Sequence, residues 1–431
     1  MSMMKPSLLS LAVVCASLGQ NAFAAEDIAN LVDRGKATLD VRYRYEHVDP
    51  DNQNQNNANA QTVRTRISLQ SGKWYGLSAL VEADNVSRIG DATYNSTRNG
   101  QSDFAVVADP DGSEINQALL RYDFKKGNAV LGRQRILLDN QRFVGGVAWR
   151  QNEQTFDGVL GQLKPITGMT LTYSYIDNVN TIFGPGDNRF DTKLNPANIE
   201  GHSHLFNAQY ILLRDRRGAP QLTLTGYSYL LGLDNIAVTR TAALGSLSSR
   251  TNGLRANAAI GPVSLVAEYA QQSDYADNPQ DLDSDYYLAE LGYNWKGMVF
   301  KGGYEVLGGD GGTGNRAFQT PLATKHAFQG WADVFLTTPA DGIEDAYVGV
   351  TAPLWGGQLQ AWYHDFNAER GGDSYGDEFD LSYGHPIPAV PGLVALVKYA
   401  SYRADDDTPL LRGNVANIDT DKFWLQLQYT Y

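Results

Sequence analysis

Cysteine and long apolar runs are both nearly absent from this chain. The single cysteine, Cys15, lies within an apolar stretch at residues 8–18, so the chain beyond it can form no disulfide and offers no thiolate metal ligand. Mean hydropathy is −0.35. No later run reaches the roughly 18 consecutive apolar residues that a membrane-spanning helix needs. These absences argue against a helical membrane protein and against a disulfide-stapled domain.

Catalytic sequence motifs are absent as well. The chain contains no G-x-S-x-G, no H-E-x-x-H and no glycine-rich phosphate loop ahead of a helical pattern. His202 and His204 share one face of a predicted strand, but no nearby cluster of residues supplies a convincing third metal ligand. A net charge of −13 argues against nucleic acid as a partner. We therefore expect no enzymatic activity, no cofactor and no metal site.

The N-terminus has the form of a secretory signal. Lys5 precedes the apolar stretch, and the small-residue pattern at residues 22–24 follows it as a cleavage site. The sequence predicts three parts along the chain. These are a signal peptide at residues 1–24, a short periplasmic segment at residues 25–36 and an outer-membrane barrel at residues 37–431.

Alternating apolar and polar residues are what the chain has in abundance. At its end, Phe423, Leu425, Leu427 and Tyr429 alternate with polar residues, and Tyr431 closes the chain. Successive side chains of a strand point to opposite faces, so this segment fits a strand between lipid and water. The terminal aromatic residue looks like the sorting signal of bacterial outer-membrane barrels. Similar segments, beginning at residues 38–48 and 61–70, give about eighteen strands.

Short and long connections follow one another between these segments. Short ones at residues 72–73, 125–128 and 164–168 carry turn-forming residues, and long ones include residues 85–113 and 308–342. The sequence predicts an all-β, antiparallel transmembrane barrel of about 18 strands, with short periplasmic turns and long extracellular loops. We expect it in the outer membrane of a Gram-negative bacterium, where its partners are the barrel assembly machinery, membrane lipids and lipopolysaccharide.

Arginines recur at positions that strand parity places inside the barrel. Arginine keeps its charge and presents a planar fork of donors that matches carboxylate or phosphate. A basic strip in a narrow aqueous channel attracts anions. The alternative interpretation is that carboxylates on facing strands pair with the arginines and brace the wall. The arginines concerned are Arg42, Arg44, Arg64, Arg66, Arg121, Arg133 and Arg135, with Arg142 and Arg150 in the adjoining loop.

Other predicted inward charges fall on later strands. Lys398 and Lys422 are weaker candidates because each stands alone on its strand. Trp362 and Trp424 have inward parity and could stack on a sugar ring, although packing is the commoner role. Acidic residues make these strands more negative, namely Glu268, Glu290, Glu305, Glu378 and Asp380.

Three stretches resemble the alginate-export family of bacterial outer-membrane porins. They are residues 132–157, residues 326–345 and residues 363–366. The resemblance implies a monomeric 18-stranded barrel with an arginine-rich constriction for anionic sugar polymers. It implies that Arg133, Arg135, Arg142 and Arg150 form this constriction, with Asp139, Glu153 and Asp157 as their partners. It also implies that residues 328–336 form a loop element in which Trp331 and Asp333 narrow the channel.

One departure from that family concerns the connection at residues 385–392. It is short and rich in proline, where dedicated alginate exporters carry a long periplasmic loop. The expected function is therefore a passive channel for anionic solutes, including acidic oligosaccharides or an alginate-like polymer. Two alternatives stay open: a substrate-specific uptake porin for small carboxylates, and a loop-plugged structural or adhesive barrel.

Overall fold

Eighteen strands build almost the whole of the computed structural model, which describes residues 34–51, 55–185, 193–213, 221–311, 314–405 and 418–431. The predicted signal peptide and most of the predicted periplasmic segment lie outside these residues. No helix in the described ranges is long and apolar enough to cross a membrane. The strands are β1 Lys36–Pro50, β2 Ala58–Gln70, β3 Leu77–Arg88, β4 Gly112–Phe124, β5 Gly127–Gln134, β6 Thr155–Leu163, β7 Met169–Asn180, β8 Asn198–Leu213, β9 Gln221–Leu231, β10 Ser249–Ile260, β11 Val263–Asp274, β12 Asp283–Trp295, β13 Met298–Leu307, β14 Ile343–Leu354, β15 Gly357–Asn367, β16 Ser374–Pro386, β17 Leu393–Arg403 and β18 Thr420–Thr430.

The strands form one closed antiparallel sheet. Each strand pairs with the next along the chain, and β1 pairs with β18 to close the barrel. In this closing register Arg42 lies opposite Gln428, and Tyr43 lies opposite Leu427. Closure leaves no unpaired sheet edge, which is what a membrane requires of a sheet. The predicted 18-stranded antiparallel barrel is confirmed.

Side chains alternate between the lumen and the outer face as the sequence pattern predicts. On β1, Arg42 and Arg44 are buried inside the barrel, whereas Val41 and Tyr43 lie on the outer face. On β18, Phe423, Leu425 and Leu427 are exposed on the outer face. This outer row is apolar because it faces lipid, while the inner row carries the polar and charged groups.

Two long loops fold back into the lumen. The first, residues 135–154, follows β5, and the second, residues 308–342, joins β13 to β14 and contains a short 3₁₀ turn at Lys325–Ala327. They meet in a parallel bridge between Val144 and Leu322, where the Gly145 backbone N–H donates to the Leu322 carbonyl at 2.9 Å. Because both loops are packed inside the barrel, the functional side chains lie where the loops contact the wall.

Aromatic residues fix the two loops against the barrel wall. Phe143 of the first loop packs against Tyr227 and Tyr286, with ring centroids 5.3 and 5.2 Å apart. Phe335 of the second loop packs against Phe366 at 4.7 Å and Tyr402 at 5.8 Å. Burial of such rings contributes a large share of core stability. The loops are therefore structural parts of the lumen and not free extracellular segments.

Candidate lumen constriction

Barrel closure assembles a basic wall from strands at the two ends of the chain. Strands β17, β18, β1 and β2 are successive neighbours. Lys398 and Lys422 therefore join the arginines of β1 and β2, although each is the only inward cation of its own strand. Both lysines were weaker candidates in the sequence because alternation within one strand does not show that the last strands pair with the first. The wall consists of Arg42, Arg44, Arg64, Arg66, Lys398 and Lys422, all of them buried.

Two arginines of this wall are held mainly by neutral acceptors. Arg42 donates to the Gln428 amide oxygen at 3.1 Å and to the carbonyls of Ala148 and Arg150 at 3.1 and 3.3 Å. Within the described ranges no carboxylate lies within 4 Å of its guanidinium. Arg44 donates to Gln426 at 2.6 Å, and its nearest carboxylate, on Asp109, is 4.0 Å away. Their positive charge is therefore only weakly compensated.

Three other predicted arginines have close carboxylate partners. Arg64 pairs with Asp40 at 2.5 Å, and Arg121 pairs with Asp123 at 2.8 Å. Arg66 pairs with Asp84 at 2.6 Å. The pairs of Arg64 and Arg66 join neighbouring strands, as the bracing interpretation predicts. Arg121 and Asp123 lie two residues apart on β4 and neutralise each other within one strand.

Glu153 links the first loop to this braced region. It accepts hydrogen bonds from Arg135 at 2.6 Å and forms an ion pair with Arg66 at 2.8 Å, while Arg135 also reaches Glu82 at 2.6 Å. Burial opposes the charge of Glu153, but the hydrogen bonds and charges of the two arginines prevail and lower its pKa to about 2. Glu153 thus stays ionised, and together with Arg135 it holds both ends of the loop against β2 and β3.

The prediction that Arg133 and Asp157 face the lumen is wrong. Asn128, Val130 and Gln134 are the buried inward residues of β5, so Arg133 shares the outer face with Leu131, which is 42% exposed. Its guanidinium pairs with Asp157 at 2.8 Å, and both side chains are about one-third exposed. The pairing of β5 with β6 is regular at this point, and the nearby bulge lies on β7, where Asp177 is the extra residue opposite Asp157 and Gly158. The two charges neutralise each other near the end of the wall that carries the long loops. Arg135, one residue past β5, turns inward instead.

Arg142 and Asp139 lie in the lumen but do not contact each other. Arg142 donates to Glu305 at 2.7 Å and lies over the Phe328 ring, with Cζ 4.8 Å from its centroid. Asp139 accepts a hydrogen bond from Asn207 at 2.9 Å and makes no ion pair with an arginine in the described part of the chain. Burial raises the pKa of the Asp139 carboxyl. The expected arginine partner of Asp139 is therefore corrected to a polar contact with the β8 wall.

Asp333 is the point at which the second loop meets the basic wall. Its carboxylate lies 3.0 Å from Arg150 and 3.2 Å from Lys422, and it accepts a hydrogen bond from His326 Nδ1 at 2.8 Å. Arg150 also binds Glu46 at 2.9 Å. Burial disfavours the charge of Asp333, yet these partners hold its pKa well below the usual range. The loop is therefore fixed by a fully charged contact.

The same loop is tied to the acidic strand β16. The backbone N–H of Ala332 donates to Glu378 at 2.6 Å, and that of Trp331 donates to Asp380 at 3.2 Å. Trp331 and Asp333 thus lie at the place that the sequence resemblance implies, in a loop element inside the lumen. They are positioned between cations of β17–β18 and carboxylates of β16.

Indole rings surround Lys398 of the basic wall. Lys398 Nζ lies 3.6 Å from the ring centroid of Trp331, 4.4 Å from that of Trp149 and 5.5 Å from that of Trp424. Arg44 lies over Trp149 as well, with Cζ 4.0 Å from the ring centroid. Attraction between a cation and an aromatic face is strongest for tryptophan in a desolvated site. Sequence parity identified Trp424 as inward, but nothing in the sequence signalled the role of Trp149.

Among the described residues, several polar atoms of this cluster are unpaired, and one of them is an acceptor, Asp109 Oδ2, which lies 4.0 Å from Arg44 Nη1. In the described part of the chain, Arg44 Nη1 and the indole N–H groups of Trp149 and Trp424 are buried without a hydrogen-bond partner. Buried donors normally have partners, and leaving one unpaired costs about 1–3 kcal/mol. The arrangement can therefore accept a group that brings negative charge and several lone pairs.

Elsewhere the lumen contains a cavity, while a histidine pair lies outside it. The cavity has a volume of about 420 Å³ and is lined in part by Arg121, Arg135 and Leu138. His202 and His204 lie on the outer wall against Tyr175 and Tyr173. The described residues contain no group of three or more side chains that could hold a metal ion.

Comparisons with known proteins identify the fold. No protein-family model matches the chain, and no curated protein matches it. Acinetobacter baumannii OccAB2 is 16% identical with a TM-score of 0.69, and Pseudomonas aeruginosa OccK8 (OprE) is 17% identical with a TM-score of 0.67. Pseudomonas aeruginosa OpdK, whose structure was determined with vanillate, is 16% identical with a TM-score of 0.65. Each match covers 93% of this chain and 99% of the other.

These likenesses establish a shared architecture. The closed 18-stranded barrel matches that of outer-membrane porins of the Occ/Opd type. The resemblance to the alginate-export family is not supported by these comparisons.

Proposed function

We propose that this chain is an outer-membrane porin for the uptake of small carboxylates, with aromatic carboxylates favoured. The porin architecture and the presence of vanillate, an aromatic carboxylate, in the OpdK structure support this proposal. The barrel fits the outer membrane of a Gram-negative bacterium. We further propose a monomer that contacts membrane lipids and lipopolysaccharide and is inserted by the barrel assembly machinery.

The observation that carries the proposal is the set of unpaired donors around Trp149. A carboxylate supplies the lone pairs that Arg44 Nη1 and the indole N–H groups of Trp149 and Trp424 lack. It also brings negative charge to Arg44 and Lys398, whereas a water molecule brings lone pairs alone. The guanidinium fork suits a carboxylate, and indole faces suit an aromatic ring.

Loop packing favours a small solute over a polymer. The loops at residues 135–154 and 308–342 meet inside the lumen through Val144 and Leu322. Asp333 fixes the second loop to Arg150 on the first. An extended polysaccharide would have to displace more of these buried contacts than a single small anion would. We therefore favour small carboxylates over an alginate-like polymer.

The proposal is tested by single-channel recording of the refolded protein in a planar bilayer. A reversal potential in a salt gradient measures anion preference, and added benzoate, oligouronate and benzyl alcohol measure block by an aromatic carboxylate, a sugar acid and a neutral aromatic. We expect an anion-selective current that benzoate blocks at lower concentration than the other two. Equal block by all three would contradict a carboxylate site.

Arg44→Ala is the decisive variant, and Arg133→Ala is its matched control. Loss of a charge-assisted hydrogen bond costs about 1.5–3 kcal/mol, so Arg44→Ala should weaken benzoate block by roughly 10- to 100-fold. Arg133→Ala removes the same charge from the outer wall and should leave block unchanged. Absence of any current in the wild-type protein would instead favour the loop-plugged structural barrel.

A further inference from the structure

An apolar groove runs along the lipid-facing wall between β4 and β9. Its volume is about 660 Å³, and it lies toward the short turns that join β4 to β5 and β6 to β7. Ala129, Gly161 and Gly226 line its floor, while Phe124, Leu163 and Phe206 stand at its sides. Those three larger residues are 41–47% exposed, as expected of side chains that face lipid.

The groove floor is open, because no described residue fills it. A Cβ atom added at Gly161 or Gly226 would meet no atom within 4 Å. These are the only two glycines in the described strands with such free space. At Gly253 and Gly349, by contrast, an added Cβ would collide with Tyr227 and Trp362. Packing within the barrel therefore explains those glycines, but it does not explain Gly161 and Gly226.

A basic platform borders the groove. Lys125 and Lys126 form the turn directly after Phe124, and Lys164 directly follows Leu163. The two turns are joined, because the Lys164 backbone N–H donates to the Lys126 carbonyl at 2.7 Å and Lys126 Nζ donates to the Pro165 carbonyl at 2.9 Å. Among the described residues, no carboxylate lies within 4 Å of any of the three ammonium groups. Within the described part of the chain, no close carboxylate therefore compensates their charge, which lies at the short-turn end of the wall.

We propose that this groove binds one anionic phospholipid of the periplasmic leaflet. An acyl chain lies along Gly161 and Gly226, and the phosphate lies against Lys125, Lys126 and Lys164. The apolar floor and the basic turns are continuous, so one amphipathic molecule can satisfy both. Charge complementarity selects an anionic headgroup over a zwitterionic one.

A second copy of the barrel fits this surface less well. In a two-fold dimer the same patch meets itself, so the lysine platforms of the two copies would approach each other. Like charges at such a contact repel. A lipid phosphate, in contrast, neutralises the platform.

The test is native mass spectrometry of the folded protein in detergent, titrated with phosphatidylglycerol or with phosphatidylcholine of the same acyl chains. We expect one retained phosphatidylglycerol and a preference for it over phosphatidylcholine of about tenfold or more. The double variant Gly161→Leu/Gly226→Leu should lose binding of both lipids. The triple variant Lys125→Gln/Lys126→Gln/Lys164→Gln should lose only the preference for the anionic lipid.

Matched controls separate the groove from the rest of the outer surface. Ala267→Leu adds bulk at an exposed position on β11, and Lys296→Gln removes a charge from the β12–β13 turn. Both controls should bind phosphatidylglycerol like the wild type, and heat-dependent mobility on gels checks that every variant is folded. Unchanged lipid binding in both groove and lysine variants overturns the proposal. So does a dimer in the wild type that disappears in the glycine variant, because the groove would then be a protein interface. Neither result depends on whether the channel carries carboxylates.

Discussion

The Lys398 ammonium lies 2.6 Å from Nε2 of His326, and Nδ1 of the same imidazole lies 2.8 Å from Asp333 Oδ1. Lysine can only donate, so Nε2 is the acceptor and Nδ1 carries the proton. A neutral imidazole thus connects a cation of β17 to the loop carboxylate that anchors residues 308–342. Trp149 stacks on this ring at 4.5 Å, which places the histidine at the centre of the indole cluster.

This relationship predicts that acid destabilises the second loop. Burial lowers the pKa of His326 from 6.5 to about 3. Because the folded pKa is depressed, the stability contributed by the neutral ring is complete above pH 6.5 and is lost as the pH falls through 3. Single-channel noise should therefore increase, and thermal stability should fall, between these pH values. His326→Gln cannot titrate and should show a smaller change, whereas His202→Gln on the outer wall should match the wild type. An identical pH response in His326→Gln would exclude His326 as the cause.

Asp333→Asn should loosen the loop at neutral pH. The substitution leaves Arg150 and Lys422 without their shared carboxylate, and breaking a buried ion pair typically costs about 3–5 kcal/mol. We expect a lower unfolding temperature together with larger and more variable single-channel currents. Asp365→Asn changes an exposed carboxylate on the outer face and is the control. If single-channel currents of Asp333→Asn are as steady as those of the wild type, other contacts suffice to hold the loop.

Glu153→Gln should increase anion selectivity. Glu153 is ionised with a pKa of about 2, and it compensates Arg66 and Arg135 inside the lumen. Removing its charge leaves both cations more exposed to passing ions, so the reversal potential should shift toward that of a more anion-selective channel. Glu200→Gln, at an exposed position, should leave the reversal potential unchanged. A shift toward cations would contradict the electrostatic role of this residue.

Deletion of Tyr431 should impair barrel assembly. The Tyr431 backbone N–H donates to the Leu39 carbonyl at 2.8 Å, and its carbonyl accepts from the Leu39 N–H at 2.9 Å. Loss of both bonds at the closing pair of strands should cost about 1–3 kcal/mol. The measurement is the folded fraction on gels, after insertion by the assembly machinery and after spontaneous refolding in detergent.

The variant Tyr431→Ala separates the side chain from the backbone in this experiment. It keeps both backbone hydrogen bonds, so spontaneous refolding should be normal. If the aromatic ring is the sorting signal, insertion by the machinery should fail as it does for the deletion. Normal insertion of both variants would remove the sorting role from this residue.

The sequence predicts which face of the sheet a side chain points to where the strand is regular. This prediction fails where the strand is irregular or ends. Arg42 and Arg44 on β1 lie in an uninterrupted alternation, so their inward direction follows from the period of two alone. Arg133 lies one residue from the end of its strand, and its partner Asp157 lies opposite a bulge on β7. A charge at such a position can turn either way, and here mutual neutralisation allows both groups to remain outside.

Most of the lumen constriction depends on contacts between distant parts of the chain. Lys398 approaches His326 and Trp149 because β17 is close to β1 around the closed barrel and because two loops fold inward. No local pattern encodes this meeting. Likewise, parity gives the direction of an arginine but does not reveal whether a carboxylate lies beside it, and that difference separates Arg44 from Arg66.

The sequence by itself determined the barrel, its number of strands and the inward direction of its regular positions, because alternation and turn chemistry are local properties. Only the tertiary structure decided which charges compensate each other, which loops fill the lumen and which donors remain unpaired. Those properties depend on distances across a closed sheet, and electrostatic and hydrogen-bond energies change steeply with such distances.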